Sequence, residues 1–463
     1  MSTTFSYWFL SEPVLPAFAP PSTPKEFLLD HFSSHHHSSY VTGALPASSP
    51  VARAELVAAG LSAGYGKQGA WRKTYWGPTG NREALYKYLR RRLEMTLACV
   101  HVSAGKMTPK SFWGGVEPSE KGSLSFNLGS LGAAVAAKRW MSGAGHDVRR
   151  FLHTRLFVAS GFVRGPLHFH SYSESLPDYL VEDSAGGWHV FEAKGGDKGN
   201  RWKQLVDGLQ QLAPVVGVGG MGHPTAPLSS VCVQTLVHQG CDLEFTLADP
   251  PVSEEKPPAS LRIEVLGDLA DLALCFEALD WFDSFADRGQ FQGTDPAAVA
   301  VRLPGYRVAT SAAFGGMTLA LPEAYFAIRP KVRAALRVVA EFKALLEWEE
   351  ERSADTATDE QLMSRVRASG LRLSAPPAAA SEEEDAGAVA DGLTALQNLM
   401  KKPPEGDFHE WRSEMLRELS SELGIAPLAK QCMEARQAFP LDATHSIATS
   451  AGGLVVVLDD DRQ

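Results

Sequence analysis

From residue 127 to 245 the chain runs through helix-like and strand-like patterns in one order, and that order constrains its fold more than any other feature. Asn127 or Ser130 can cap a helix through LGAAVAAKRWM to Met141. Residues 155 to 163 read as a strand, 177 to 181 as a second and 188 to 193 as a third. Asp183-Ser184-Ala185-Gly186-Gly187 between the last two suits a hairpin loop. A helix over 201 to 212 buries Trp202, Leu205, Val206, Leu209 and Leu212 on one face, and SVCVQTLV, 230 to 237, is a β-rich run suited to a central strand. The order is α-β-β-β-α-β, which predicts an α/β core with a mixed sheet, flanked by mainly helical regions.

The flanks carry weaker patterns. Residues 1 to 50, rich in Pro, Ser and His, read as an irregular arm, and 51 to 126 as a basic, partly helical region. Within the latter, Leu85, Leu89, Leu93 and Leu97 put an apolar stripe on a helix whose other face holds Lys87, Arg90, Arg91 and Arg92. Residues 246 to 373 read as mixed and largely helical. They include a long helix from 322 to 352 whose acidic end, Glu347 to Glu351, opposes the helix dipole and is expected to fray. Residues 374 to 392 form an acidic, Ala-rich linker, and 393 to 463 a small region of two short helices and a terminal strand.

Charge is divided unevenly. Residues 1–212 carry 23 Lys and Arg against 16 Asp and Glu, and residues 213–463 carry 21 against 38, so a basic half of net +7 precedes an acidic half of net −17. Beyond a Debye length of about 8 Å the two fields hardly interact, so the first half can attract phosphate while the second favours a protein partner. The five cysteines are widely spread with no CxxC pair, which encodes neither a disulfide framework nor a structural zinc site. No run of about 20 apolar residues is present, so no membrane helix is expected, and the opening residues lack the marks of a secretory signal. The chain reads as cytoplasmic.

Chemistry concentrates at Pro177-Asp178, followed after thirteen residues by Glu192-Ala193-Lys194. Alternate residues of a strand face one side, so Glu192 and Lys194 share a face and Ala193 takes the other. If the Asp178 strand pairs antiparallel through the short loop, all three charges converge. Two carboxylates and an ammonium drawn together are costly to desolvate. A hard divalent cation resolves the conflict, with Mg²⁺ on Asp178, Glu192 and the Ala193 carbonyl and Mn²⁺ able to substitute. The alternative is a solvent-facing strand whose charges simply pair with one another.

This pattern, PD-(x13)-ExK on a hairpin followed by a helix and a strand, resembles the PD-(D/E)xK nuclease superfamily with its restriction-endonuclease-like fold. The resemblance spans about 120 residues. It implies a Mg²⁺-dependent phosphodiesterase, expected to act on DNA, in which Asp178 and Glu192 bind metal and Lys194 assists the attacking water. Gln204, on the following helix, is similar in place to a glutamine of the recombination-type exonuclease members, which implies a role at the lysine or the phosphate, with Gln211 a second candidate. Many members supply a further acid from the first helix. Residues 130 to 141 contain none, and Glu174 would substitute as a metal ligand. Lys198, Arg201, Lys203, Arg149 and Arg150 are candidates for a nucleic-acid path, and Lys138 and Arg139 lie near it. A bacterial defence or toxin setting suits a nuclease with such flanks. The competing reading is a nucleic-acid-binding or assembly module on the same fold with little catalysis.

Overall fold

The protein is seen here as a computed structural model, which describes residues 3–9, 24–31, 40–41, 45–63, 79–103, 105–154, 163–164, 176–220, 224–250, 261–285, 304–311, 313–353, 357–373, 386–437 and 446–458. In chain order, its first elements are β1 (Thr3–Phe9), α1 (Pro24–His31), β2 (Ser48–Ser49), α2 (Arg53–Ala63), α3 (Thr79–Ala98), β3 (Val100–Ser103), β4 (Lys106–Pro109) and α4 (Pro118–Gly143). Next come β5 (Val148–His153), β6 (Val163–Arg164), β7 (Tyr179–Asp183), β8 (Trp188–Gly196), α5 (Arg201–Leu212), β9 (Val215–Gly220), β10 (Ser229–Leu236), β11 (Glu244–Asp249) and β12 (Leu261–Val265). They are followed by α6 (Gly267–Phe285), β13 (Tyr306–Ser311), β14 (Met317–Pro322), α7 (Glu323–Ser353) and α8 (Asp359–Gly370). The last are α9 (Ala386–Met400), α10 (Phe408–Glu422), α11 (Ile425–Gln437), β15 (Ser446–Thr449) and β16 (Val455–Leu458).

This is a mixed α/β chain built on a mixed seven-stranded sheet in the order β2-β1-β11-β10-β8-β7-β5. β7 runs antiparallel to both β5 and β8, and β8 runs parallel to β10 across the α5 connection. The hairpin between β7 and β8 closes because the Asp183 carboxylate accepts the Ala185 and Gly187 amides, while Gly186 takes a φ of 89°. The two sheet faces are covered by different helices. α4 lies on the face of Ala193 and Thr235, and α5 lies on the face of Glu192, Lys194 and Cys232. On the α4 side the helix backbone nearly touches the strand: a Cβ on Gly129 would stand 2.8 Å from the Lys194 carbonyl carbon. A smaller sheet, β13-β14-β16-β15, packs against α2 and α6, and one continuous apolar core runs from Phe5 to Leu458.

Several expectations change. Thr3–Phe9 of the expected irregular arm is a strand of the main sheet, parallel to β11, and Pro24–His31 is a helix packed on α5. The burial of Phe5 between neighbouring strands outweighs the Pro- and Ser-rich composition around it. The strand expected over 155 to 163 lies earlier, at Val148–His153, and residues 155–162 lie outside the described residues. Asn127 and Ser130 cap nothing, because α4 starts at Pro118 and both sit inside it. The acidic end of α7 is held: Glu349 is buried and accepts the Ser369 hydroxyl, and Glu350 pairs with Arg412. The C-terminal end of the expected linker is already helical, since α9 begins at Ala386, and three helices rather than two precede the last strands. In α3, Arg90 bonds Glu94 and the Ser284 carbonyl and Arg92 bonds Asn127, so that cationic face is partly spent on internal contacts.

A buried chain, His189 with Ser229 at 2.7 Å and Asp183 at 3.4 Å, crosses the core, and Trp140 donates to the same Ser229 hydroxyl. All three of its first members are enclosed, so this arrangement holds strands together and offers no nucleophile to a substrate. Burial pushes His189 down to about 4, against the opposing pull of Asp183. An unfolded chain therefore takes up a proton below about pH 6.5 that the folded His189 refuses, so stability falls as pH drops from roughly 6.5 towards 4. Between pH 7 and pH 5 the loss is expected to be roughly 2 kcal/mol. Urea unfolding of wild type and His189→Gln at both pH values checks it, and equal pH slopes would count against this account.

Candidate active site

The site forms where β7 begins. β7 pairs with β8 only as far as Tyr179 opposite Phe191, which leaves Asp178 and the end of β8 free to bond through side chains. The Asp178 amide donates to Glu192 Oε2 at 3.0 Å, and the Ala193 amide donates to Asp178 Oδ2 at 3.0 Å, so each carboxylate is fixed by the other strand. Lys194 Nζ donates to Glu192 Oε1 at 2.7 Å and to Gln211 Oε1 at 2.6 Å. Asp178, Glu192, Ala193 and Lys194 thus meet, and Glu192, 3% exposed, belongs to no solvent-facing ion pair.

α5 completes the wall. Gly208 sits over the charges, and a Cβ there would collide with Cys232 Sγ and stand 3.3 Å from Lys194 Cε and 3.4 Å from Glu192 Cγ. Gln204 and Gln211, seven residues apart, share a helix face but divide the work. Gln204 donates to the Gly195 carbonyl at 3.2 Å, while Gln211 holds the lysine. Of the two glutamines expected at the lysine or the phosphate, it is Gln211, the second candidate, that contacts Lys194. Cys232, unassigned by the sequence reading, lies beside them with its thiol pushed up by burial.

The electrostatics disfavour two bare carboxylates side by side in this site. Burial, reinforced by the Asp178 charge, pushes Glu192 up to about 8 against the pull of Lys194. Burial pulls the Lys194 ammonium down, but the Glu192 carboxylate outweighs it and raises the lysine above its ordinary value. The donor set fits a hard divalent cation. Asp178 Oδ1 makes no hydrogen bond among the described residues. The Ala193 N–H points to the β7 side, so its carbonyl turns the same way, past the last ladder pair. Two carboxylates and one carbonyl are few ligands, which suits an ion that keeps several waters. Among the described residues no cluster of three His, Cys, Asp or Glu is set for a metal, and Glu174, expected as a further ligand, lies outside them.

The expected phosphate path is reduced. Arg150 is buried and paired with Glu182 and Asp271, and Arg149 stands 3.3 Å from Glu182. Both sit at the opposite end of β7 from Asp178. Arg201 turns inward, 2.7 Å from Glu244 and bonded to Thr246. Arg139 is held by Glu55, and burial pushes the Lys138 ammonium down. Lys198 and Lys203 remain exposed beside the start of α5, Lys198 resting 3.6 Å from Cys241 Sγ. No helix among the described residues is long and apolar enough to cross a membrane. Comparison of the chain with protein-family models, with curated proteins and with solved structures finds no match.

Proposed function

We propose that this protein is a divalent-metal-dependent nuclease acting on DNA, with a restriction-endonuclease-like core formed by α4, β5, β7, β8, α5 and β10. The observation that carries this reading is the meeting of Asp178, Glu192 and Lys194 at the open end of a hairpin, two carboxylates backed by one ammonium. The antiparallel β5-β7-β8 arrangement with β10 added parallel supports it.

Asp178, Glu192 and the Ala193 carbonyl would hold Mg²⁺, or Mn²⁺ in its place. When bound, such an ion lowers the pKa of a water and offsets charge on a phosphodiester. Lys194, aimed by Gln211 and Glu192, then donates to oxygen as negative charge develops on it. Gln204 fixes the Gly195 carbonyl and so the strand end that presents the lysine. Lys198 and Lys203 supply exposed cations for the backbone of the nucleic acid.

Supercoiled plasmid tests the reading. With Mg²⁺ or Mn²⁺ the wild-type protein is expected to give nicked or linear product, and EDTA to stop it. If wild type and Asp178→Asn leave the plasmid equally intact in either metal, the nuclease reading is lost. Retained plasmid gel shift in both would then favour a binding module.

A further inference from the structure

The five cysteines are scattered along the sequence, yet the fold brings two of them into contact. Cys275 lies on α6 and Cys432 on α11, two helices that pack on each other. Their thiols are hydrogen-bonded, and both residues are buried, at 1% and 2% exposed. A single buried thiol packs as a small hydrophobe and needs no explanation. Two in mutual contact on separate helices hold the reacting atoms of a disulfide beside each other, and a shift that brings the sulfurs to about 2 Å completes the bond. Neither helix carries a residue of the Asp178, Glu192 and Lys194 group.

The turn between β15 and β16 closes over the pair. Tyr325 of α7 donates to the Gly452 carbonyl at 3.1 Å and to the Cys432 carbonyl at 3.5 Å, so one phenol joins the turn to the cysteine. Arg436, one helical turn after Cys432, donates to the Ala451 carbonyl at 2.6 Å. On the other helix, a Cβ at Gly452 would stand 2.4 Å from the carbonyl oxygen of Leu274, the residue before Cys275. Burial pushes the Cys275 thiol up and its contact with Cys432 adds to this, while the Arg436 cation pulls the other way. A neutral buried thiol reacts slowly. Lifting this short turn admits water and oxidant without opening the main sheet, and it releases Arg436 to stabilise the thiolate that then forms.

We propose that Cys275 and Cys432 are a redox modification site, at which a peroxide oxidant forms a reversible disulfide that staples α11 to α6; this stands independently of the nuclease reading. One thiolate attacks the peroxide and keeps one oxygen as a sulfenic acid, while the other oxygen leaves as water. The second sulfur then displaces that hydroxyl as a further water. Two thiols and one hydrogen peroxide thus give one disulfide and two waters, the sulfurs losing the two electrons that the peroxide oxygens gain. A dithiol reductant reverses the bond by exchange. Peptide mapping of the full chain tests this. The folded protein is treated with hydrogen peroxide, its remaining thiols are alkylated, and the digest is analysed without reductant. A species joining Cys275 to Cys432 should form, lighter than the two thiol peptides by two hydrogens, and dithiothreitol should return both thiols. The melting midpoint of the oxidised protein should rise by several degrees, because the bond closes a long loop. Cys432→Ala should show neither the cross-link nor the rise. Cys241, the one cysteine that is not buried, is the internal reference. If exposure long enough to consume Cys241 leaves Cys275 and Cys432 as thiols, or over-oxidises them without a cross-link, the site is lost. A bond from either to another cysteine, or one that forms only in denaturing urea, overturns it equally. An unchanged melting midpoint in the cross-linked protein overturns the staple.

Discussion

Lys194→Met is expected to lower metal-dependent plasmid cleavage by roughly 10²- to 10³-fold with the fold intact. Lys194 donates to both Glu192 and Gln211, and it offsets two carboxylates at once. Methionine keeps most of the stem that packs beneath Gly208 and Cys232, so the loss isolates the ammonium. Removing one partner of a buried pair is usually costly because a bare charge remains. Here Glu192, already pushed up to about 8, can take a proton instead. Thermal unfolding of the variant should therefore stay close to wild type while cleavage collapses. Cleavage within twofold of wild type would remove the lysine from the chemistry.

The second large effect is on stability. Gly195→Val should destabilise the protein by about 3 kcal/mol or more, because a Cβ at Gly195 would collide with the Ser125 carbonyl and stand 3.0 Å from the Gly129 amide. Both obstacles are backbone, so no rotamer change relieves them. The variant can fold only by lifting α4 from β8, which displaces Lys194. Gly122→Ala, in the same helix but with open space around its Cβ, is the control, and helix propensity predicts that it is neutral or stabilising by up to about 1 kcal/mol. Urea midpoints of the two variants against wild type decide the matter. Equal midpoints for Gly195→Val and wild type would disprove the close packing of α4 on the strand.

The sequence by itself determined the elements whose signals are local. The apolar face of 201 to 212, the SVCVQTLV run and the Asp183 to Gly187 loop each act within a dozen residues, and each element appears where its pattern lies. The grouping of Asp178, Glu192 and Lys194 is also nearly local, since one hairpin joins the two strands that carry them. Only the tertiary structure decided that Thr3–Phe9 joins the main sheet, because a strand far from its partner in sequence gains its hydrogen bonds from β11 and not from its own composition. The fate of the cations is equally remote: Arg150 meets Asp271 and Arg201 meets Glu244, contacts that no spacing announces. Between Gln204 and Gln211 helical periodicity places both on one face. Only the close packing of α5 on the strands at Gly208 decided which of them reaches the lysine.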